Sequence, residues 1–243
     1  MKLIHISTKK FQSLTADSIY ILNLAEQFNS LLGQDYFMVI GGKLPQQLKN
    51  VQLMNLNFRS WRSTFLNFWL PYFFYFFWLP YFIFKKRLSF GAIFFSNDPY
   101  LLAHLIRLRK ILRFKYKICS DWHMLYNNWR DKYIAVNSDF LIATSSKLKN
   151  LLIDKTKISP GKIFVAYGGI DLDNYKNIDK SEAKRILKLP LNKKIISYIG
   201  LFKTMGMEKG INTMILALKN LSEDVIMAFI GGKDEEILEY KIL

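Results

Sequence analysis

Short apolar runs alternate with stretches of helical period along almost the whole chain. The apolar runs are rich in β-branched, aromatic and aliphatic residues. Several lack polar alternation, which is typical of strands buried on both faces of a parallel sheet. The predicted strands cover residues 3–7, 36–41, 51–56, 92–96, 116–120, 140–144, 163–167, 195–200 and 225–231.

The segments between these strands carry helix signals. Helices are predicted over residues 16–32, 99–112, 147–154, 182–189 and 211–221. Asp98 before Pro99 predicts a helix start, because aspartate caps free N–H groups and proline loses no hydrogen bond in the first turn. Ser145 or Ser146, and Ser181, are predicted to cap the helices that follow them. This alternation of strands and helices predicts an α/β fold with helices on both faces of parallel sheets.

A polar stretch at residues 171–180 interrupts the alternation. It predicts a domain boundary near residue 175, with one domain over residues 1–175 and a second region over residues 176–243. The second region has two predicted strands, and two strands make a poor independent sheet. We therefore expect it to be the first part of a larger domain.

Residues 63–84 carry no charged side chain and contain the hexapeptide FWLPYF twice. As a helix they would be about 33 Å long, which matches the bilayer core. However, Trp and Tyr prefer the membrane interface, Pro71 and Pro80 each remove a helical hydrogen bond, and a span would separate strands of one sheet. We expect one or two aromatic helices with one face on the sheet and the other in the lipid interface, beside the cations at 85–87. A wholly buried helix and a true span are the alternatives.

The formal net charge is +16, and the excess of cations is uneven. Residues 85–117 hold nine Lys or Arg residues against one acid, Asp98. Such a cluster attracts nucleic acid, anionic lipid or diphosphate ligands, although it is also compatible with a merely solvated face. The single Cys119 excludes an intramolecular disulfide bond and favours a reducing, cytoplasmic setting.

Three segments hold residues suited to chemistry. His123 follows a predicted strand at its carboxyl end, where open α/β sheets bind ligands, although a lone histidine is more often structural. Gly168, Gly169 and Asp171 follow another strand, and the simpler interpretation there is a turn between domains. In the third segment, Gly200 ends a strand and Lys203 lies in the loop; residues 208–210, Glu-Lys-Gly, then open a helix. A helix N-terminus beside a lysine suits a diphosphate.

The order and spacing of these segments resemble the GT-B glycosyltransferases of family 4, a retaining group that uses nucleotide sugars. The resemblance runs along nearly the whole chain, and the second-domain motif is its specific part. The matching stretches are SLTADSIYILNLAEQF at 13–28, SDFLIATSSKLKNLL at 138–152, GGID at 168–171 and YIG with EKGINTMILAL within 198–218.

The resemblance implies a GT-B fold: a Rossmann-like acceptor-side domain followed by the first part of a Rossmann-like donor domain. It implies that Lys209 neutralises the departing diphosphate, that His123 contacts the transferred sugar, and that Gly200 lets the donor phosphate approach the backbone. The other implied donor-binding residues are Gly169, Asp171, Lys203, Glu208 and Gly210. It also implies no metal and no cofactor, because protein cations and helix dipoles neutralise the diphosphate instead.

Departures from the family pattern limit these implications. Leu201 stands where the family often has arginine, residues 9–11 replace a glycine pair, and Tyr167-Gly168 replaces Pro-Asn. The family's later E-x7-E motif has no counterpart, so we expect a truncated donor domain and a fragment that is inactive alone.

The function predicted from the sequence is transfer of a sugar from a nucleotide-sugar donor to a glycan or polyprenyl-linked acceptor in cell-envelope polysaccharide synthesis. The expected location is peripheral, on the anionic inner face of the cytoplasmic membrane, with no nucleic acid partner. The alternatives are a non-catalytic basic fragment that binds membrane or nucleic acid, and a GT-B sugar epimerase.

Overall fold

The computed structural model describes residues 1–8, 16–41, 53–56, 64–169, 177–204 and 207–240. The chain divides into two compact units, unit 1 over Met1–Ile170 and unit 2 over Asp171–Leu243. The boundary predicted near residue 175 and the predicted turn residue Asp171 both lie outside the described residues.

Unit 1 contains one sheet of seven parallel strands in the order β3-β2-β1-β4-β5-β6-β7. The order reverses at β1, with β2 and β3 on one side and β4 to β7 on the other. At such a reversal the connections leave the sheet in opposite directions, which opens a crevice at the carboxyl ends of β1 and β4. The strands are β1 (Lys2–Ser7), β2 (Tyr36–Gly41), β3 (Leu53–Leu56), β4 (Ala92–Ser96), β5 (Lys117–Trp122), β6 (Phe140–Ala143) and β7 (Ile163–Val165).

Helices cover both faces of this sheet. They are α1 (Ala16–Leu32), α2 (Thr64–Lys85), α3 (Pro99–Ile111), α4 (Trp129–Asn137) and α5 (Ser146–Thr156). Alternate residues of each strand point to opposite faces. Ile4 and Ile6 therefore join the larger core, which also contains buried side chains of α2 to α5, while Met38 and Ile40 pack with α1 in a smaller core. The prediction of an α/β fold is confirmed.

The N-cap residues of the helices in the structure can be compared with the predicted ones. Asp98 accepts hydrogen bonds from the backbone N–H groups of the first turn of α3, as predicted. Of the two serines considered for α5, Ser145 is the cap. The prediction for Ser181 is wrong, because Asp179 accepts from the N–H groups of Ser181 and Glu182 and begins the helix earlier. Helix α4 was not predicted.

The aromatic segment forms one continuous helix, α2, that packs on the sheet along one face. Tyr75, Leu79 and Ile83 are fully buried, whereas Phe73 and Phe77 are well exposed. Within the described ranges, no helix combines the length and hydropathy that crossing a membrane requires.

Helix α2 continues through Pro80, which cannot donate to the Phe76 carbonyl one turn earlier. His104 of α3 packs against this turn, and its ring stacks on the Phe76 ring at a centroid distance of 4.8 Å. The turn of α2 that lacks this backbone hydrogen bond is thus in contact with a neighbouring helix.

Unit 2 is smaller. Its main strands, β8 (Lys194–Ile199) and β11 (Val225–Ile230), pair in parallel, and β9 (Lys203–Thr204) pairs with β10 (Met207–Glu208) in a short antiparallel hairpin. The helices are α6 (Lys180–Ile186), α7 (Ile211–Leu218) and α8 (Asp234–Tyr240).

Candidate functional site

In unit 1, the neighbouring strands β4 and β5 each have a carboxylate at their carboxyl end. The two carboxylates have different environments. Asp98, just after β4, is saturated with donors. Its Oδ2 accepts from the Thr8 hydroxyl at 2.5 Å and from the Tyr72 hydroxyl at 2.9 Å, while its Oδ1 caps α3. This carboxylate ties β1, α2 and α3 together, and we assign it a structural role.

Asp121, in β5, is the second carboxylate and is only partly satisfied. Its side chain is completely buried, yet among the residues that the structure describes its Oδ1 has no hydrogen-bond partner. Its Oδ2 accepts from the Tyr20 hydroxyl of α1 at 3.0 Å and lies 3.1 Å from His123 Nε2. The Tyr20 ring meets the His123 ring edge to face, with centroids 4.6 Å apart. Three side chains from α1, β5 and the following loop thus form one cluster.

The cluster favours a protonated imidazole. The hydrogen bond to Asp121 raises the pKa of His123, against the opposing effect of burial, and the charges of Asp121 and Asp17 raise it further. Burial lowers the pKa of His5 to about 3 and that of His104 to about 4. Of the three histidines, His123 is therefore the one whose pKa is raised rather than lowered. Burial and Asp121 also raise the pKa of Tyr20, which keeps its hydroxyl a donor.

A small pocket adjoins this cluster at the carboxyl ends of β4 and β5. Its polar lining consists of Asn97, Asp121, His123 and Tyr126. The side chain of His123 is 36% exposed, so it is accessible from the pocket side. The predicted site residue His123 thus lies at a strand end beside the crevice, in a polar pocket.

Sequence reasoning missed Asp121 and Tyr20. The predicted strand ended at residue 120, whereas β5 continues to Trp122 and brings Asp121 to the strand end. The aspartate two residues before His123 was a usable signal, because side chains two apart on a strand share a face.

In unit 2, the helix α7 begins without a side-chain cap. Its N-cap is Gly210, in a left-handed conformation with φ of 73°, so the N-cap residue offers no side-chain acceptor to the first turn. By contrast, Asp98, Asn128 and Ser145 cap α3, α4 and α5. The first-turn N–H groups of α7 therefore lack the side-chain acceptor that those helices have, which suits an anion.

Lysine 209 directly precedes this helix. Its backbone N–H donates to the Phe202 carbonyl at 2.9 Å, which fixes the turn, and its side chain is exposed. In the described part of unit 2, Lys209 forms no ion pair, whereas Lys203 pairs with Glu239 at 2.7 Å. Glu208 accepts from the Tyr240 hydroxyl at 2.7 Å. Lys203 and Glu208 thus hold α8, and Lys209 is the cation of this group that is free to meet a ligand.

Glycines bring the two main strand ends of unit 2 together. Gly200 follows β8, and its N–H donates to the Ile230 carbonyl at 2.9 Å. A Cβ on Gly231, where φ is 114°, would clash with the Gly200 carbonyl oxygen. The backbone at the end of β8 and β11 is therefore closely packed and exposes main-chain groups at the edge where α/β sheets bind ligands. Gly169, at the end of unit 1, is exposed, with nothing near its missing side chain.

The basic cluster of residues 85–117 is partly structural. Arg109 and Lys117 both pair with Asp139, which also accepts from the Ile118 N–H at 2.8 Å. Lys85, Lys86 and the other cations of the cluster remain at the surface. Among the described residues, no group of three His, Cys, Asp or Glu side chains is arranged to hold a metal ion.

Solved structures with the same architecture are GT-B proteins. HepE from Anabaena, in complex with UDP and glucose, superposes with a TM-score of 0.67 at 12% identity, over 100% of this chain and 64% of that chain. The lipopolysaccharide outer core galactosyltransferase WaaB gives 0.68 at 18% identity, over 100% and 64%. UDP-GlcNAc 2-epimerase from Neisseria meningitidis, bound to UDP-GlcNAc, gives 0.59 at 12%, over 100% and 68%. No protein-family model and no curated protein matches the sequence.

These similarities establish the fold. The chain is an α/β protein of the GT-B fold, as the sequence predicted, and it spans 64% of the length of HepE and of WaaB. Identities of 12% and 18% carry no residue roles, so the assigned roles of His123 and Lys209 stay predictions.

Proposed function

We propose that this chain serves glycosyl transfer from a nucleotide-sugar donor, with retention of configuration and without a metal. The observation behind the proposal is the start of α7. There, a glycine N-cap without a side-chain acceptor adjoins Lys209, which forms no ion pair among the described residues of unit 2. Three similar GT-B proteins support it, because one was solved with UDP and glucose, one is named a galactosyltransferase and one was solved with UDP-GlcNAc.

In this mechanism the bond between the anomeric carbon of the sugar and the diphosphate oxygen breaks, and negative charge develops on the departing diphosphate. The anomeric carbon bonds to the acceptor hydroxyl oxygen, and the proton of that hydroxyl passes to the departing diphosphate. The Lys209 ammonium and the first-turn N–H groups of α7 are fixed before the reaction and stabilise that charge. The backbone at Gly200 allows a phosphate to approach closely. His123, protonated through Asp121, donates to a hydroxyl of the sugar.

The test is nucleotide binding and turnover of the variant Lys209→Ala, with Lys219→Ala as the matched control. Lys219 lies at the other end of the same helix and its side chain is also exposed, so it controls for loss of a surface charge. We expect K209A to weaken UDP binding in titration calorimetry. In a version extended to a complete donor domain, it should lower turnover of UDP-sugars by about 100-fold or more, as loss of one preorganised donor does. UDP binding equal to that of the unaltered chain would remove Lys209 from the site.

For the acceptor, we propose a polyprenyl-linked glycan and peripheral attachment to the anionic inner face of the cytoplasmic membrane. The exposed face of α2 supports this. Aromatic side chains cover it, and Lys85, Lys86 and Arg87 follow at its end, with Lys85 Nζ 5.3 Å from the Tyr81 ring centroid. Aromatic groups beside cations suit a surface of anionic lipid headgroups. The exposed aromatic residues are Trp69, Phe73, Phe74, Phe76, Phe77, Tyr81 and Phe84.

Flotation with vesicles that contain anionic phosphatidylglycerol tests the attachment. We expect the chain to float with them and alkaline carbonate to release it from membranes. The double variant Phe73→Ser, Phe77→Ser should stay at the bottom of the gradient. Phe164→Ser, on β7, is the control, because Phe164 is 57% exposed and Phe77 is 63% exposed. Retention in the carbonate pellet would contradict peripheral attachment.

A sugar epimerase is the second candidate, favoured by the similarity to UDP-GlcNAc 2-epimerase. An epimerase changes the nucleotide sugar without an acceptor, whereas a transferase consumes both. Product analysis with and without acceptor separates the two.

A basic fragment that binds nucleic acid is the remaining alternative. Micromolar affinity for duplex DNA with a steep salt dependence would favour it.

A further inference from the structure

Asp98 and Asp121, the two carboxylates at the crevice of unit 1, differ in their hydrogen bonding, which indicates different roles. Asp98 has a donor for each oxygen, as buried polar groups in stable folds usually do. Asp121 is equally part of the buried interior, yet its Oδ1 has no donor within the described part of the chain. A buried acceptor without a partner lowers stability, so the Asp121 position is better explained by a role in the site.

Asp121 also fixes the state of His123. An ionised carboxylate only accepts hydrogen bonds, so the imidazole nitrogen that faces it, Nε2, must carry a hydrogen. The other nitrogen, Nδ1, is left for a ligand in the pocket that His123 lines. The groups facing His123 are Asp17 and Tyr20 of α1 and Asp121 of β5.

We propose that Asp121 is a positioning residue, which orients His123 and keeps its Nδ1 directed to the sugar of a bound nucleotide sugar. The inference rests on the proposed function, because that function supplies the sugar. Tyr20 is the second part of the device. The Tyr20 hydroxyl and the imidazole both hydrogen-bond to Oδ2 of Asp121. The Tyr20 bond therefore weakens the interaction of the carboxylate with His123.

The first test is nitrogen NMR of the histidines between pH 5 and 9, which needs no activity. His5 and His104 have pKa values lowered to about 3 and about 4, so His123 alone should titrate in this range. Asp121→Asn keeps the size and an acceptor but removes the charge. We expect it to lower the pKa of His123 by about 1, a tenfold change in the protonation equilibrium. An unchanged pKa would overturn the proposal.

Tyr20→Phe is the matched variant. It keeps the ring that packs on His123 but frees Oδ2 from a competing donor, so the pKa of His123 should rise rather than fall. A structural role alone predicts something else for Asp121→Asn, namely a loss of thermal stability. We expect that variant to melt at the temperature of the unaltered chain or higher at pH 8.5.

The second test asks whether the pair meets the sugar. UDP-glucose, UDP-GlcNAc and GDP-mannose are added to the unaltered chain, with UDP and GDP as references. We expect a shift of the His123 signal that depends on the sugar and is lost in Asp121→Asn. No such shift with any of the three donors would overturn the proposal. If the shift occurs but only epimerisation is found, the proposed transfer fails while the role of Asp121 stands.

Discussion

The two units bury their apolar side chains very differently. In unit 1 the sheet is covered on both faces, and long runs of side chains from β1, β2, β4 and β5 are inaccessible to solvent. In the described part of unit 2, Phe202 and Ile211 are the apolar side chains that reach the same degree of burial. Ile196 and Ile199 of β8 remain 43% and 76% exposed, although both belong to a parallel strand.

We infer from this contrast that unit 1 is the more stable of the two units and unit 2 the less stable. Hydrophobic burial is the main favourable term in folding, so unit 1 should hold its fold unaided, while unit 2 is held by less apolar burial. The same contrast applies to the candidate residues. His123 is oriented by buried partners, whereas Lys209 is exposed on a unit with little core. Ligand binding should therefore order unit 2 more than unit 1.

Hydrogen exchange should show the largest difference. We expect amides of β4 and β5 to exchange at least about 100-fold more slowly than those of β8 and β11, which corresponds to about 3 kcal/mol in opening free energy. Mass spectrometry of peptides from the two units measures these exchange rates. UDP should slow exchange in unit 2 selectively. Equal protection in both units would contradict the contrast in burial.

Core truncation gives the next largest effect. Leu105→Ala removes a fully buried side chain of α3 and should lower the free energy of unfolding by about 2–5 kcal/mol, since a cavity remains. Leu216→Ala, on α7, removes a side chain that is 57% exposed and should change it by less than about 0.5 kcal/mol. Urea denaturation measures both. A loss at Leu216 as large as at Leu105 would show that α7 is buried in solution.

Much of the framework was predictable because its signals are local. The bounds of α1 and β4 agree with the prediction, since one depends on apolar spacing and the other on a continuous apolar run. Helix α4 was missed because its buried contribution is small, Ile134 and Ala135 being its buried apolar residues.

The candidate site was less predictable because its contacts are remote in sequence. Tyr20 reaches Asp121 across 101 positions, and no local pattern encodes that pairing. Pro80 was expected to remove a helical hydrogen bond and left open whether the segment forms one or two helices. The packing of α2 on the sheet and on α3, which involves residues remote in sequence, could not be predicted locally. His123 itself was found from its place after a strand, which is a local property.

The contact between α2 and α3 offers a further test within unit 1. His104→Leu removes the ring that stacks on Phe76 and should lower the free energy of unfolding by about 0.5–1.5 kcal/mol, the value of an aromatic pair. Phe76→Leu removes the other ring, so His104→Leu should cost less in that background. Urea denaturation of the four proteins gives the coupling energy. Additive effects would show that the two rings do not stabilise each other.

The smallest effect concerns pH and Asp139. Burial alone would raise the pKa of Asp139, but the Ile118 N–H, Arg109 and Lys117 outweigh it and hold the pKa below its ordinary value. A carboxyl group with a lowered pKa stabilises the fold above its unfolded-state pKa, and this contribution is lost as pH falls through the folded-state value. Unit 1 should therefore lose stability below about pH 4, where a free aspartate begins to protonate. Asp139→Asn should flatten this dependence in thermal denaturation at pH 2.5–6, while Asp224→Asn in unit 2 should leave the unit 1 transition unchanged. An equally steep acid loss in Asp139→Asn would assign the effect to other carboxyl groups.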